Sequence, residues 1–274
     1  MTRWALIFCL ISPWAMALDW AQLALQYQAS GEVTADTASQ VQSLAEEGDP
    51  AAMVALAGLL DRGFDGQARN PEWAFGWWLR AAREGHHGAA LEVAKRYFSN
   101  RNVPARDGLS AQDQQSFNQA RAVYWLNLAA NEFYPPALVG LAQIHLEGKL
   151  GDVAVTGIVP DPERGREFLK MAAAADYAPA FYVLYQLDSP KALASVSDAN
   201  ERRTRAIRAQ VYLADCVALG LPECQFEEAK RLLTGDLATR DIGRGIALLD
   251  SAAGQGLVKA QVLLQAVRQL QAGS

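Results

Sequence analysis

Ala81-Ala82-Arg83-Glu84-Gly85-His86-His87-Gly88-Ala89 decides the fold, because the string recurs along the chain. It returns at Ala129–Ala137, Ala172–Ala180 and Ala252–Ala260. Leu44–Ala52 is an earlier copy, and Cys216–Cys224 is a diverged one. The anchor positions are Gly48, Gly85, Phe133, Asp176, Gly220 and Gly256, separated by 37, 48, 43, 44 and 36 residues. A fixed string at variable spacing describes a repeat array with insertions in its surface loops.

The chemistry of the string explains its recurrence. Two alanines end one helix, glycine takes the left-handed cap conformation, and a small residue opens the next helix. Small residues on both sides let two helices approach closely. Phe133 and Asp176 depart from glycine. Keeping the same conformation costs each roughly 1 kcal/mol, so these two turns are candidates for a different construction.

The stretches between the strings have the pattern of helix pairs. The first helix of each pair is expected to close at Gly63, Asn100, Gly148 or Gly235. The second opens at a cap residue, Asn70, Asn118, Asp161 or Asp241, with Pro71 and Pro162 at the first helical position. Seven residues before each double-alanine position stands a small residue: Ala74, Ala122, Gly165, Ala209 or Gly245. Three later come Trp77, Trp125, Phe168, Tyr212 and Leu248, beside Trp78, Leu126, Leu169, Leu213 and Leu249. These large columns form the expected core, which makes most of the tryptophans packing residues. Composition agrees. The 274 residues include 50 alanines but only 17 valines and 7 isoleucines, which favours helix over strand. With 51% hydrophobic residues the chain can bury a core, and its net charge of −5 argues against nucleic acid as partner. The expected fold class is all-α, an α/α superhelical solenoid of about six helix-turn-helix repeats.

The pattern Asp/Asn-x-x-x-Ala/Gly, a large aromatic position, Ala-Ala-x-x-Gly-x-x-x-Ala and a closing Gly resembles the Sel-one-like repeat, a relative of the tetratricopeptide repeat. The resemblance covers residues 44–270, after an N-terminal helical cap at 18–43. It implies a protein that holds partner proteins together. One unit resembles the Helicobacter cysteine-rich proteins, some of which are associated with penicillin binding.

The first residues have the form of an export signal. Met1-Thr2-Arg3 is a positive start, Trp4–Ile11 an apolar run, and Ala15-Met16-Ala17 a small-x-small cleavage pattern. Cleavage after Ala17 is expected, leaving Leu18 first and no later membrane span. The expected location is the periplasm, with secretion as the alternative. Cys9 leaves with the signal, so Cys216 and Cys224 are the two cysteines of the mature chain. They occupy the first and last positions of the turn string, where other copies carry alanines. If those positions pack across the turn, the sulfurs are placed to bond in an oxidising compartment. Their spacing also resembles the bridge of the Helicobacter cysteine-rich proteins.

Motifs for catalysis are missing. The sequence has no Ser-x-x-Lys, Gly-x-Ser-x-Gly, His-Glu-x-x-His, Gly-x-x-x-x-Gly-Lys or Gly-x-Gly-x-x-Gly. No catalytic residue, metal site or cofactor is assigned, and the protein is expected not to be an enzyme. His86-His87 is read as a polar turn, and His145 as a cation favourable near a helix C-terminus. Arg121, Arg164, Arg208 and Arg244 share one repeat position and form a solvated ladder. Trp73 takes that place in the first full unit, which makes it a candidate surface contact.

Aligned on its opening small residue, each first helix carries an apolar residue two places later: Val54, Leu91, Val139, Tyr182, Phe226 and Val262. That column is assigned to the core. Places three and six share another face. Their residues mark a partner groove passing Glu92, Lys95, Gln143, Gln186, Glu227 and Lys230, with mixed charges suited to a protein or peptide. The loops 99–116, 149–159 and 188–204 are long for helix connections. The expected function is an exported, non-enzymatic interaction scaffold of the cell envelope. The alternatives are an envelope enzyme acting on cell-wall or carbohydrate material, or a secreted factor binding host proteins.

Overall fold

The computed structural model describes residues 34–64, 68–151, 153–155, 157–235 and 240–272. The expected signal peptide at 1–17 and most of the N-terminal cap lie outside the described residues. The chain is essentially all-α. Its helices are α1 Ala35–Glu47, α2 Pro50–Arg62, α3 Pro71–Arg83, α4 His87–Phe98, α5 Ala111–Asn131, α6 Pro135–Glu147, α7 Pro162–Ala173, α8 Ala178–Leu187, α9 Pro190–Leu193, α10 Ala199–Ala218, α11 Pro222–Thr234, α12 Ile242–Gly254 and α13 Val258–Ala272. One small antiparallel pair, β1 Lys149–Leu150 and β2 Val153–Ala154, follows α6. The chain divides into two compact units, one running to Val93 with Asn102–Pro104, the other comprising Ala94–Arg101 and Ala105 onward.

All six repeated turns close identically. The N–H of His86 reaches the carbonyl of Ala81 and that of Gly85 the carbonyl of Ala82, at 3.0 and 3.2 Å. These are the two bonds of a Schellman cap, and they satisfy carbonyls that the helix end leaves unpaired. The same pair recurs around Gly48, Gly220 and Gly256, all at positive φ. It also recurs at the two positions without glycine. Phe133 at φ 56° and Asp176 at φ 53° adopt the left-handed conformation, and their N–H groups meet Ala130 and Ala173 at 2.9 Å. These turns are therefore built like the others, at a cost in backbone strain. The flanking small residues are wholly buried in five copies: Ala81 with Ala89, Ala129 with Ala137, Ala172 with Ala180, Cys216 with Cys224, and Ala252 with Ala260.

In the first unit α1 packs on α2 and α2 on α3. Val41 and Met53 are fully buried there, and the Trp78 Nε1 donates to Asp61 at 3.1 Å. In the second unit α5 packs on α6, α6 on α7, α7 on α8, α8 on α10, α10 on α11, α11 on α12 and α12 on α13. Leu126, Leu169, Leu213 and Leu249 run through it at 0% exposure, as the large column requires. At Gly165 the close approach is explicit. A Cβ there would lie 2.8 Å from Leu146 Cγ and 3.1 Å from the Ala142 carbonyl.

Several sequence expectations are corrected. The Val54 column is only half-buried, and Val262 is 63% exposed. Two residues along a helix is about 200° of rotation, which turns this column away from the opening small residue. Places four later return to that face, and Leu56, Val93, Leu141, Leu184 and Leu264 are buried. Asn70, Asp161 and Asp241 do cap their helices, but Asn118 does not. Helix α5 begins earlier, capped by Ser110, and Asn118 is buried mid-helix, donating to Asn100 at 2.6 Å. The long loops are shortened in consequence. Helix α5 takes the end of 99–116, strands β1 and β2 lie in the first half of 149–159, and α9 with the start of α10 takes up much of 188–204.

Two histidines, His86 and His145, serve the packing, each with its pKa lowered by burial. His86 Nδ1 accepts the Ala89 N–H at 3.1 Å, so it caps α4. Burial pushes its pKa below 6.5, and the neighbouring His87 charge adds to this. His145 stacks near Phe168, with centroids 5.6 Å apart. Burial first, then the Arg164 charge, also lowers its pKa, so it is a packed neutral ring rather than a cationic cap.

Two predictions follow from the turns. Phe133 is 66% exposed, so its side chain contributes little packing. Phe133→Gly should relieve strain of about 1–2 kcal/mol and give back part of it to unfolded-chain entropy. The net gain expected in calorimetric melting is roughly 0.5–1 kcal/mol; a lower Tm would contradict the strain argument. For His86, the folded state favours the neutral ring while the unfolded state protonates near the ordinary 6.5. Its contribution is present above that pH and is lost as pH falls below it. His86→Asn keeps an acceptor for Ala89 and should flatten the loss of stability between about pH 7 and 5 in urea titrations.

Candidate functional site

The last turn of α8, the short helix α9, the middle of α10 and one face of α11 enclose a concavity of about 790 Å³ in the second unit. Each wall has a local cause. Tyr182, Tyr185 and Gln186 project from α8, whose first turn holds the buried Ala180. Ser189 caps α9 and sets Lys191 on the rim. Helix α11 supplies Glu227, Lys230, Arg231 and Thr234, spaced at three to four residues and so on one face.

Asp188 holds one end together. It is at 0% exposure and ends α8. Its Oδ1 accepts from Arg166 Nη2 at 3.0 Å and Arg205 Nε at 2.8 Å, while Arg205 Nη2 also donates to the Leu187 carbonyl at 2.9 Å. Arg208 Nη2 stands 3.3 Å from Oδ2, an ion pair without a hydrogen bond. A buried carboxylate is tolerated only when cations compensate it, and here α7 and α10 both supply them. Burial opposes the Arg205 charge, yet its bonds to Asp188 and Glu201 outweigh this and raise its pKa.

A covalent link packs behind two of the lining residues, Tyr185 and Ala209. Cys216 at the end of α10 and Cys224 in α11 form a disulfide, with their Cα atoms 5.9 Å apart. Both cysteines are fully buried in a cluster with Tyr185, Ala209 and Leu213. The Tyr182 and Tyr185 rings stack at 6.4 Å. Burial, then the Glu227 charge, pushes Tyr185 up to about 12 and raises Tyr182 as well. Both phenols are therefore neutral hydrogen-bonding groups at pH 7. Glu227 pairs with Lys230 at 2.8 Å, and Arg231 with Glu228 at 2.9 Å.

Three of the sequence-predicted contacts, Gln186, Glu227 and Lys230, meet in this concavity. Glu92 and Gln143 are half-buried, Lys95 is exposed, and none of them lines it. Trp73 is 66% exposed. It lines a separate concavity of about 680 Å³ in the first unit, with Leu56, Leu60, Phe64 and Trp77. The arginine ladder is not merely solvated. Arg208 meets Asp188, Arg121 lies over Phe117 and Tyr124, and Arg164 lies over Phe168. Asp188 with Arg166 and Arg205 was missing from the sequence reading. The signal available was the arginine-rich start of α10, Arg202, Arg203, Arg205 and Arg208, which needs an acidic partner to be buried. Among the described residues no group of three His, Cys, Asp or Glu side chains could hold a metal ion.

Helix hairpins closed by one repeated cap, stacked with a small residue at each close approach, define an α/α repeat protein. The Sel1 repeat model matches residues 50–86, 108–132, 135–177 and 222–257, which is over half of the chain, and the chain belongs to the Sel1 repeat family. No curated protein matches it. Among solved structures, a Sel1 repeat protein from Oxalobacter formigenes is similar at 22% identity and a TM-score of 0.62, covering 84% of this chain and 59% of that one. This chain thus spans less than two thirds of that relative. The immunity protein Pa5087 from Pseudomonas aeruginosa is similar at 17% identity and a TM-score of 0.53, covering 86% and 80%. Pseudomonas aeruginosa 5086 (PA5086) is similar at 18% and 0.51, with the same coverage. These likenesses concern the fold. The segment 178–221, which carries α8, α9 and α10, falls between matched repeats.

Removing the carboxylate tests what holds the concavity. Asp188→Ala leaves Arg166 without its carboxylate and Arg205 with Glu201 alone, and should cost about 3 kcal/mol in urea unfolding. An exposed pair such as Asp250–Arg268 should cost under about 1 kcal/mol when broken by Asp250→Ala. Equal small losses would show that the Asp188 cluster carries no stability. Cys216→Ser with Cys224→Ser should cost about 2–3 kcal/mol on the chain-entropy argument.

Proposed function

We propose that the protein is an exported, non-enzymatic scaffold of the cell envelope that binds a protein or peptide partner in the concavity at Gln186, Glu227 and Lys230. Sel1 repeats are in general protein–protein interaction modules, and this chain belongs to that family. The observation that carries the reading is the concavity itself, formed between the segment 178–221, which departs from the repeat, and α11, which opens the next matched one. It combines apolar faces, neutral phenols, amides and ion pairs, the mixture a polypeptide surface matches. Trp73 in the first unit is a second proposed contact. Glu92, Lys95 and Gln143 belong to the wider set suggested by the repeat alignment. Export is supported by the Met1–Ala17 pattern and by a buried disulfide, which persists in an oxidising compartment. No described helix is long and apolar enough to cross a membrane.

Fractionation with intact-mass measurement tests the location. The expected product is periplasmic, begins at Leu18 and has no free thiol; full-length cytosolic protein with reduced cysteines would refute export. Affinity purification from the envelope, followed by mass spectrometry, identifies partners. Against an identified partner, Gln186→Ala with Lys230→Ala should weaken binding at least about tenfold, or 1.4 kcal/mol, with unchanged melting. Lys95→Ala with Gln143→Ala reports on the wider groove in the same assay. Covalent labelling by a β-lactam would overturn the non-enzymatic reading.

A further inference from the structure

We infer that the occupant of the concavity in the second unit is an acidic segment of a partner polypeptide. The inference rests on the concavity being a partner site and concerns the chemistry of what enters it.

The charge around this concavity runs opposite to that of the chain. The protein as a whole carries −5. Yet three arginines converge on Asp188, whose single charge can balance only one of them. Glu201 takes a share of Arg205 at 3.2 Å. Arg208 is left without a hydrogen bond to Asp188, its side chain 46% exposed. It reaches the concavity through Asp188, a lining residue 3.3 Å away. Lys191 is exposed on the rim and meets no carboxylate among the described residues. Lys230 is 47% exposed, and its acidic partner among the described residues is Glu227, itself 22% exposed. Donors without full partners on three elements around one hollow favour a ligand that brings carboxylates.

The same walls disfavour a polyanion. Glu227 faces the hollow beside Lys230, and Glu228 lies behind Arg231. Evenly spaced phosphates would meet these carboxylates at close range. A peptide instead alternates side chains with backbone N–H groups, which Glu227, Gln186 and Gln210 can accept. The stacked faces of Tyr182 and Tyr185 offer the apolar contact that a peptide main chain and its methylenes use. A volume near 790 Å³ suits a short segment rather than a folded domain.

The experiment is selection of a random displayed peptide library on the purified full mature protein. The strongest binder is then remade as a labelled synthetic peptide and titrated by fluorescence anisotropy. Its counterpart with every Asp and Glu changed to Asn and Gln is measured beside it. The expected result is enrichment of Asp and Glu among selected peptides. The amide counterpart should bind at least about tenfold more weakly. Lys191→Glu with Lys230→Glu, both exposed positions, should lose affinity for the acidic peptide by a similar factor. Tyr182→Ala should weaken both peptides. Peptides that depend on Tyr182 but show no acidic preference would overturn the acidic class and leave the partner site standing. Binding indifferent to all of these variants, or no selected binder, would remove the site and the inference together. Displacement of the peptide by polyphosphate at equal charge concentration would overturn the polypeptide in favour of a polyanion. A dimer in light scattering that the double charge reversal dissociates would overturn it in favour of a second copy of this chain.

Discussion

Five of the six repeated turns among the described residues depend on a pair of small side chains buried on either side of the turn. These pairs are at zero exposure on both sides, so there is no room at either position for more than a methyl or a sulfur. The constraint fixes the rest. Two helices can come this close only if the chain reverses quickly, which requires a left-handed residue between them and a cap that satisfies the last carbonyls. The requirement is strong enough that Phe133 and Asp176 accept the left-handed conformation despite their side chains. A repeat whose geometry is imposed at the turn can vary elsewhere, and the spacings from 36 to 48 residues show that it does.

The unit around Cys216 uses that freedom most. It keeps the turn but replaces both methyls by sulfur, so close packing becomes a covalent link. In the lining of the neighbouring concavity, Asp188 joins α8 to α10 through Arg205 and to α7 through Arg166. A hollow needs such fastenings. Packing that stabilises ordinary repeats works by filling space, and here the space is left open. The disulfide and the charge cluster act on the ends of the walls and leave their faces available.

What the sequence disclosed follows from this division. The turn string, the Leu126–Leu169–Leu213–Leu249 column and the caps at Asn70, Asp161 and Asp241 were legible because repetition averages out local noise. The cysteine pairing was legible because its positions coincide with buried alanines in the other copies. The Val54 column misled because apolar character was taken for burial without following the 3.6-residue period from the opening alanine. Asn118 misled because a cap residue inside a helix looks the same as one at its start. Nothing in the periodicity pointed to Asp188, since it occurs once, in an insertion, and its partners lie on two other helices. Of the candidate contacts, Gln186, Glu227 and Lys230 came together because they sit on helices flanking one insertion. Glu92, Lys95 and Gln143 share only a repeat position with them.

Recognition in a repeat protein therefore has a natural place. Residues that recur must serve the stack, because each repeat meets its neighbours through the same faces. A residue that serves a particular partner has to be an exception to the pattern. Three exceptions coincide here: a stretch outside the matched repeats, a charge cluster with more cations than its carboxylates balance, and Tyr185 where other units carry Ala57, Ala94, Ala142 and Ala229. Their coincidence around one hollow is difficult to derive from stability alone. Burying Asp188 costs several kcal/mol of desolvation before its partners return any of it. An apolar side chain would fasten α8 to α10 without that cost, and it would not gather three arginines beside the hollow. The arrangement becomes economical once the surplus positive charge has a use beyond the fold.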